Sequence, residues 1–173
     1  MSVCYHRAVS PADRLLDATA TAASGAGARV APPSRPDVVL YDGVCGLCNG
    51  LVRFVLPRDR ARRFRFAALQ SPAAHAILTR HGRDTAALDT VYVLVPAARG
   101  GERLLSKSRA VLHLLRGLGA PWSAAVLASP LPTRLLDAGY DLVARYRYRI
   151  FGRTEACLVP RPEWRDRFID AGG

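Results

Sequence analysis

A pair of cysteines between an apolar strand and a helix is the feature that most constrains this chain. Residues 41–49 read YDGVCGLCN, so two residues separate Cys45 from Cys48. The run 38–41 is β-branched and aromatic, and apolar residues then recur with a helical period until Pro57. This order predicts a strand, a short loop and a helix that begins at Cys45, with Cys48 one turn later on the same face.

A helix N-terminus favours negative charge on sulfur. Unpaired backbone N–H groups and the positive end of the helix dipole stabilise an anion there, and cysteines at such ends commonly have a lowered pKa. A thiol one turn further along can attack a mixed disulfide formed on the first thiol, which releases the bound partner. We therefore predict that Cys45 is a nucleophile and that Cys48 is the resolving thiol.

Asp42, which precedes the loop, is the third candidate catalytic residue. Its carboxyl group could accept the Cys48 proton if partial burial raised its pKa. The alternative role is structural, since Asp is favoured near helix starts as a cap or a loop brace. The sequence does not choose between the two roles.

Length and composition predict one domain with extensions. The chain has 173 residues, half of them hydrophobic, which is enough for a single sizeable core. Residues 1–36 are rich in small residues and proline and are predicted to be a disordered extension, residues 37–157 form the domain, and residues 158–173 form a C-terminal tail. Because no apolar stretch is long enough for a membrane span or a secretory signal, we expect a cytoplasmic protein.

Sequence periodicity predicts an alternation of strands and helices. Residues 63–69 alternate with phenylalanines inward and arginines outward, and Ser71-Pro72 then fits the start of a helix that runs to about His81. Residues 90–95 and 102–105 read as a hairpin, and Ser108 is predicted to cap the next helix. The predicted order is β-α-β-α-β-β-α.

Two additional helices are predicted at about 122–128 and 132–149. In the second, an apolar face is predicted to join the core, and Asp141 and Arg145 are spaced for an ion pair. The residues of that face are Leu135, Leu136, Leu142, Val143 and Tyr146.

These features together resemble the DCC family of thiol-disulfide oxidoreductases, which is named for one Asp and two Cys. The matching segments are residues 42–49, FRFAALQS at 64–71, Ser108-Arg109-Ala110, and ARYRYRIFG at 144–152. The resemblance covers about 38–157 and implies an α/β, thioredoxin-like β-α-β-α-β-β-α core with additional C-terminal helices. Thioredoxins place a cis-proline before the first hairpin strand, whereas this sequence has Leu88-Asp89-Thr90 there.

The remaining candidate residues are predicted to be structural. Cys157 is expected to pack in the core and Cys4 to be incidental, since free cysteine is among the most buried residue types. The four histidines lack metal-ligand spacing and are expected at the surface, and Gln70 and Ser71 are expected to serve the helix start. The net charge is +11, and arginines 58–65 and 145–153 were candidates for a basic surface, but nucleic-acid binding is not expected.

Two classes of function remain open on these residues. The first is a thiol-disulfide oxidoreductase of the protein-disulfide reductase type, without a bound cofactor. Its substrate is a protein or small-molecule disulfide, and a dithiol electron donor reduces its cysteine pair again. The second is a non-catalytic binding module in which Cys45 and Cys48 hold a metal or brace the loop and a basic face binds an anionic partner. A structural zinc site generally needs four protein ligands, and only one close pair is present.

Overall fold

The computed structural model describes residues 35–85, 90–97, 101–128, 130–154 and 160–169. Strands and helices alternate along the first part of the chain and are followed by helices alone. The elements are β1 (Asp37–Tyr41), α1 (Gly46–Val55), β2 (Phe64–Ala68), α2 (Pro72–Arg80), β3 (Tyr92–Pro96), β4 (Glu102–Ser106), α3 (Lys107–Gly117), a 3-10 helix (Trp122–Ala128), α4 (Thr133–Phe151) and a second 3-10 helix (Pro162–Arg167).

The four strands form one mixed sheet in the order β2-β1-β3-β4. β1 and β2 are parallel, with Asp37 beside Phe64 and Tyr41 beside Ala68. β3 is antiparallel to β1 and forms an antiparallel hairpin with β4. The predicted thioredoxin-like β-α-β-α-β-β-α order with additional C-terminal helices is confirmed.

Alternate side chains of the central strand β1 enter two different hydrophobic cores. Val39 and Tyr41 lie in the larger core, which also contains residues of α1 and α3, whereas Leu40 lies in the smaller core with residues of α2. Helices therefore cover both faces of the sheet, as the period of two along a strand requires. Both thiols of the cysteine pair belong to the larger core.

The predicted side-chain alternation in β2 and the predicted start of α2 are both confirmed. Phe64 and Phe66 are fully buried while Arg65 is exposed, as the alternation predicted. The Ser71 hydroxyl oxygen accepts a hydrogen bond from the Ala74 backbone N–H at 3.2 Å, and Pro72 occupies the first turn of α2. The capping prediction is confirmed.

Two expectations about α3 were wrong. Ser106, not Ser108, occupies the N-cap position, and the buried Ser108 instead donates from its hydroxyl to Asp137 of α4. His113 is not a surface residue: its Nε2 lies 2.8 Å from the Asp37 carboxylate at the start of β1. Both departures arise from partners on distant segments, which helical periodicity does not reveal.

The outward face of α4 corrects a third expectation. Leu135 and Leu142 are each 60% exposed, and Val143 and Tyr146 are also exposed, so the predicted core face is mostly a solvent-facing stripe. The opposite side of α4 packs on the domain and carries the buried Arg147. Asp141 does not pair with Arg145 as predicted but with Lys107, at 2.8 Å.

Part of the segment predicted as a C-terminal tail packs against the sheet. Phe168 is buried, its ring lies 5.5 Å from that of Phe66, and the two residues form a parallel bridge. Arg167 makes a buried ion pair with Asp59 and donates from Nε to the Phe64 carbonyl at 2.8 Å. These contacts fix the chain end to the start of β2.

Several sequence-based predictions fall outside the described residues. They are the disordered extension apart from residues 35 and 36, the roles of Cys4 and Cys157, and the chain at Leu88 and Asp89. Within the described ranges, no helix combines the length and apolar character that a membrane crossing requires.

Candidate functional site

Cys45 and Cys48 lie at the N-terminus of α1, as predicted. Cys45 is the N-cap residue in an extended conformation, and the helix begins at Gly46. Both are free thiols, with Cys45 fully buried and Cys48 4% exposed, and Cys45 lies close enough to Cys48 to affect its protonation. The structure therefore brings the two sulfur atoms together at the positive end of a helix dipole.

The segment that follows α4 covers Cys45. Arg153 forms an antiparallel bridge with Cys45, and the Gly46 N–H donates to the Gly152 carbonyl at 3.2 Å. The Thr154 hydroxyl oxygen accepts from the Asn49 side-chain amide at 3.1 Å. Residues 152–154 therefore pack directly against the loop and the first turn of α1 that carry Cys45.

The close approach of the α4 end explains the glycine between the cysteines. A Cβ atom on Gly46 would lie 2.1 Å from the Phe151 carbonyl oxygen, a distance that no side chain can adopt. Gly50, in the same helix, has open space at the corresponding position. The glycine of the C-G-L-C sequence is thus required by helix packing.

A cavity of about 330 Å³ lies on the Cys48 side of the pair. We call it the Cys48 pocket. It lies among α1, α3 and α4, and its walls include Leu47, Cys48, Leu51, Val111, Val143 and Arg147. Cys48, but not Cys45, contributes to its wall.

Asp42 is the centre of a buried polar cluster. Its carboxylate accepts hydrogen bonds from the Val44 backbone N–H at 3.1 Å, the Gln70 side-chain amide at 2.9 Å and the hydroxyl group of Tyr148. Arg147 forms an ion pair with it at 3.2 Å, with both side chains almost completely buried. The loop before Cys45, the end of β2 and helix α4 are thereby tied to one carboxylate.

Gln70 has a larger role than predicted. Its amide oxygen accepts from the Gly43 N–H at 3.1 Å while its amide nitrogen donates to Asp42, so it braces the loop from both sides. The position of Gln70 directly after β2 places it near the end of the sheet where Asp42 lies. The sequence alone, however, favoured a role for Gln70 at the start of α2. Ser71 performs that role by itself.

Burial sets the protonation state of Cys48. Loss of hydration, followed by the nearby Cys45, raises the pKa of the Cys48 thiol to about 12. A backbone hydrogen bond at Asp42 and the positive charge of Arg147 oppose this shift without cancelling it. Cys48 is therefore a protonated thiol at neutral pH.

Arg147 remains charged despite its burial. Burial opposes the charge, but the hydrogen bond with Tyr148 at 2.9 Å and the nearby thiols outweigh this, so the pKa of Arg147 is raised. Burial, followed by Asp42, also raises the pKa of the Tyr148 phenol. The fixed positive charge lies where it can stabilise a thiolate on either cysteine.

No group of three or more His, Cys, Asp or Glu side chains with the geometry of a metal site occurs in the part of the chain that the structure describes. The cationic Arg147 lies close to both thiols.

The family model described as DCC1-like thiol-disulfide oxidoreductase matches residues 39–153. This range includes the cysteine pair, Asp42 and Arg147, and spans more than half of the chain. The chain belongs to the DCC1-like thiol-disulfide oxidoreductase family.

Two curated relatives resemble this DCC1-like chain over most of its length. The uncharacterized protein YuxK of Bacillus subtilis is 34% identical over 132 residues, which cover 76% of this chain and 93% of YuxK. A chloroplastic DCC family protein of Arabidopsis thaliana is 40% identical over 121 residues, which cover 69% of this chain and 67% of that protein. No solved structure matches the chain significantly.

Sequence reasoning missed Arg147 and Tyr148 as site residues of this DCC1-like domain. Arg147 was placed on a basic surface, whereas the structure buries it against Asp42. The available signal was the segment ARYRYRIFG, which carries part of the family resemblance although it lies far from the cysteines in sequence.

Proposed function

We propose that this protein is a thiol-disulfide oxidoreductase. It reduces disulfides in protein substrates while Cys45 and Cys48 cycle between the dithiol and the disulfide form. The observation that carries the proposal is the pair of neighbouring free thiols at the start of α1, beside the buried cation Arg147. Membership of the DCC1-like family supports the reaction class.

The proposed reaction has two steps. The Cys45 thiolate attacks one sulfur of the substrate disulfide, forms a mixed disulfide and expels the other substrate sulfur as a thiolate, which takes up a proton. Cys48 then loses its proton and attacks the Cys45 sulfur, which forms the Cys45–Cys48 disulfide and releases the second substrate thiol. The substrate gains two electrons and the protein loses two, and a dithiol donor restores the reduced pair.

The raised pKa of Cys48 supports this division of roles. A thiol that is protonated at neutral pH is a poor first nucleophile but remains available as the resolving group. Once the Cys45 sulfur is part of a mixed disulfide, its effect on Cys48 through charge is removed. Cys45 is fully buried and pairs with Arg153, so its attack on a substrate requires a movement that exposes its sulfur.

For Asp42 we propose a positioning role through Arg147. Its carboxylate already accepts hydrogen bonds from Val44, Gln70 and Tyr148 and pairs with Arg147, as bracing of the loop requires. These contacts favour the bracing role over the proton-relay role. We also propose the cytoplasm as the location, where reduced thiols are maintained; the word chloroplastic belongs to the Arabidopsis relative.

The experiment is to incubate single-cysteine variants with a disulfide-bonded protein substrate and a dithiol donor. Cys45→Ser is expected to abolish turnover, and Cys48→Ser is expected to accumulate a mixed disulfide through Cys45 that gel electrophoresis resolves. Cys4→Ser, outside the described residues, serves as the matched control and should retain turnover. Full activity of Cys45→Ser would overturn the proposed function.

A further inference from the structure

The Cys48 pocket has no role in the chemistry of the two thiols, because neither step of that reaction requires an apolar cavity. Its volume of about 330 Å³ is at the small end of the range of about 300–1,000 Å³ that is typical of ligand sites. Its walls are formed mainly by aliphatic side chains of α1, α3 and α4. Such a cavity favours a compact apolar group.

Two features open the pocket to the outside. Gly139 and Val143 of α4 both line it and both are exposed. Gly139 has no side chain, and a Cβ atom placed there would meet nothing within 4 Å. An incoming group can therefore enter beside Gly139 without displacing a helix.

The two polar side chains of the wall, Arg147 and Tyr140, both make contacts within the protein. Arg147 pairs with Asp42 at 3.2 Å, and the Tyr140 hydroxyl accepts a hydrogen bond from the Val91 N–H at 2.9 Å. The pocket thus offers a guest apolar contact and, at Cys48, proximity to sulfur. Selectivity for an apolar over a polar guest follows from the cost of burying a polar group without a partner.

The Cys48 pocket lies close enough to Cys45 to receive the side chain of a residue next to the substrate cysteine. Cys45 and Cys48 are three residues apart, which is about 4.5 Å along a helix axis. Consecutive residues of an extended chain are about 3.3–3.6 Å apart. A substrate cysteine whose sulfur meets Cys45 can therefore place the side chain of its neighbour in the Cys48 pocket.

We propose that the Cys48 pocket is a substrate subsite that binds an apolar side chain adjacent to the disulfide cysteine of a polypeptide substrate. This rests on the proposed function and adds a substrate class to it. The protein then prefers disulfides flanked by leucine or a residue of similar size, which in folded proteins lie mostly inside and in non-native chains are exposed.

The test compares two disulfide-linked peptides of equal length that differ only in the residue beside the cysteine, leucine in one and serine in the other. Wild type is expected to show a kcat/KM at least about tenfold higher for the leucine peptide, since burying a leucine side chain is worth at least that factor. Gly139→Leu, which fills the mouth of the pocket, should reduce this preference to about twofold or less.

Gly50→Leu is the matched control. It is also a glycine-to-leucine change at a helix position with open space, but it is in α1 and Gly50 is not part of the pocket wall. It should retain the wild-type preference. Equal rates for the two peptides with wild type, or an unchanged preference in Gly139→Leu, would overturn the subsite.

A binding measurement separates failure of the subsite from failure of the proposed function. Peptides with serine in place of the reacting cysteine cannot exchange disulfides, and calorimetry should show tighter binding of the leucine peptide that Gly139→Leu removes. If neither disulfide peptide is turned over, the proposed function is wrong, and this binding result alone decides the subsite. Equal binding of both unreactive peptides would then overturn it.

Discussion

At the level of single residues, the buried carboxylate of Asp42 connects parts of the chain that are far apart in sequence. It contacts Gln70, 28 residues away, and Arg147, 105 residues away, and thereby joins the cysteine loop to β2 and α4. Sequence placed Asp42 at the site because it lies three residues from Cys45. It did not place Arg147, because the pairing depends on how α4 docks and not on any local pattern.

Replacement of Asp42 by Asn is expected to lower the free energy of unfolding by about 3–5 kcal/mol, because it leaves the Arg147 charge buried without its counterion. Urea unfolding measures the loss. Asp141→Asn is the control: it breaks the Lys107 pair, in which Asp141 is half exposed, and should cost at most about 1 kcal/mol. Similar small losses in both variants would contradict the account of the buried pair.

The Cys48 thiol predicts a specific dependence of stability on alkaline pH. Its ordinary pKa of 9.0 applies to the unfolded chain, and burial raises the pKa to about 12 in the folded protein. Between these values the unfolded chain binds fewer protons, so the free energy of unfolding falls as pH rises above about 9. Below pH 9 this contribution is constant.

The measurement is urea unfolding of wild type and Cys48→Ala at pH 8 to 10.5 in the presence of reductant. Stability of wild type relative to the variant should fall by about 1 kcal/mol per pH unit above pH 9. Parallel pH profiles for the two proteins would show that burial does not hold Cys48 in its protonated form.

At the scale of elements, the signals that the sequence carries are local ones. The strand-to-helix junction at Cys45 and the cap at Ser71 were correctly predicted, because each depends on residues within one or two turns. Periodicity also identified α4 but assigned the wrong face to the core. Leu135 and Leu142 face outward, while the polar Arg147 faces inward and pairs with Asp42.

The junction of α1 with the end of α4 predicts opposite effects for two glycines of the same helix. Gly46→Ala places a methyl group 2.1 Å from the Phe151 carbonyl oxygen and should destabilise the protein by about 1–3 kcal/mol. Gly50→Ala meets open space and should stabilise it by about 0.5–1 kcal/mol through helix propensity. Thermal unfolding compares them, and equal effects would contradict the packing described here.

For the whole molecule, the sequence predicted the fold but not the contacts that the chain after α4 makes with Cys45 and β2. The order of strands and helices follows from alternation and turn residues, and it gives the β2-β1-β3-β4 sheet. The chain after α4 reads as irregular, yet Arg153 pairs with Cys45 and Phe168 packs on Phe66. These contacts join residues about a hundred positions apart, and no short-range pattern encodes them.

The most direct test of the central claim is the reduction potential of the Cys45 and Cys48 pair. The full-length protein is equilibrated in graded dithiothreitol or glutathione buffers, its thiols are trapped, and mass spectrometry locates the disulfide, with zinc content measured on the same sample. The account predicts a reversible two-electron transition confined to Cys45 and Cys48. Thiols that never form this disulfide, or that stoichiometric zinc protects, would contradict it and favour a binding module.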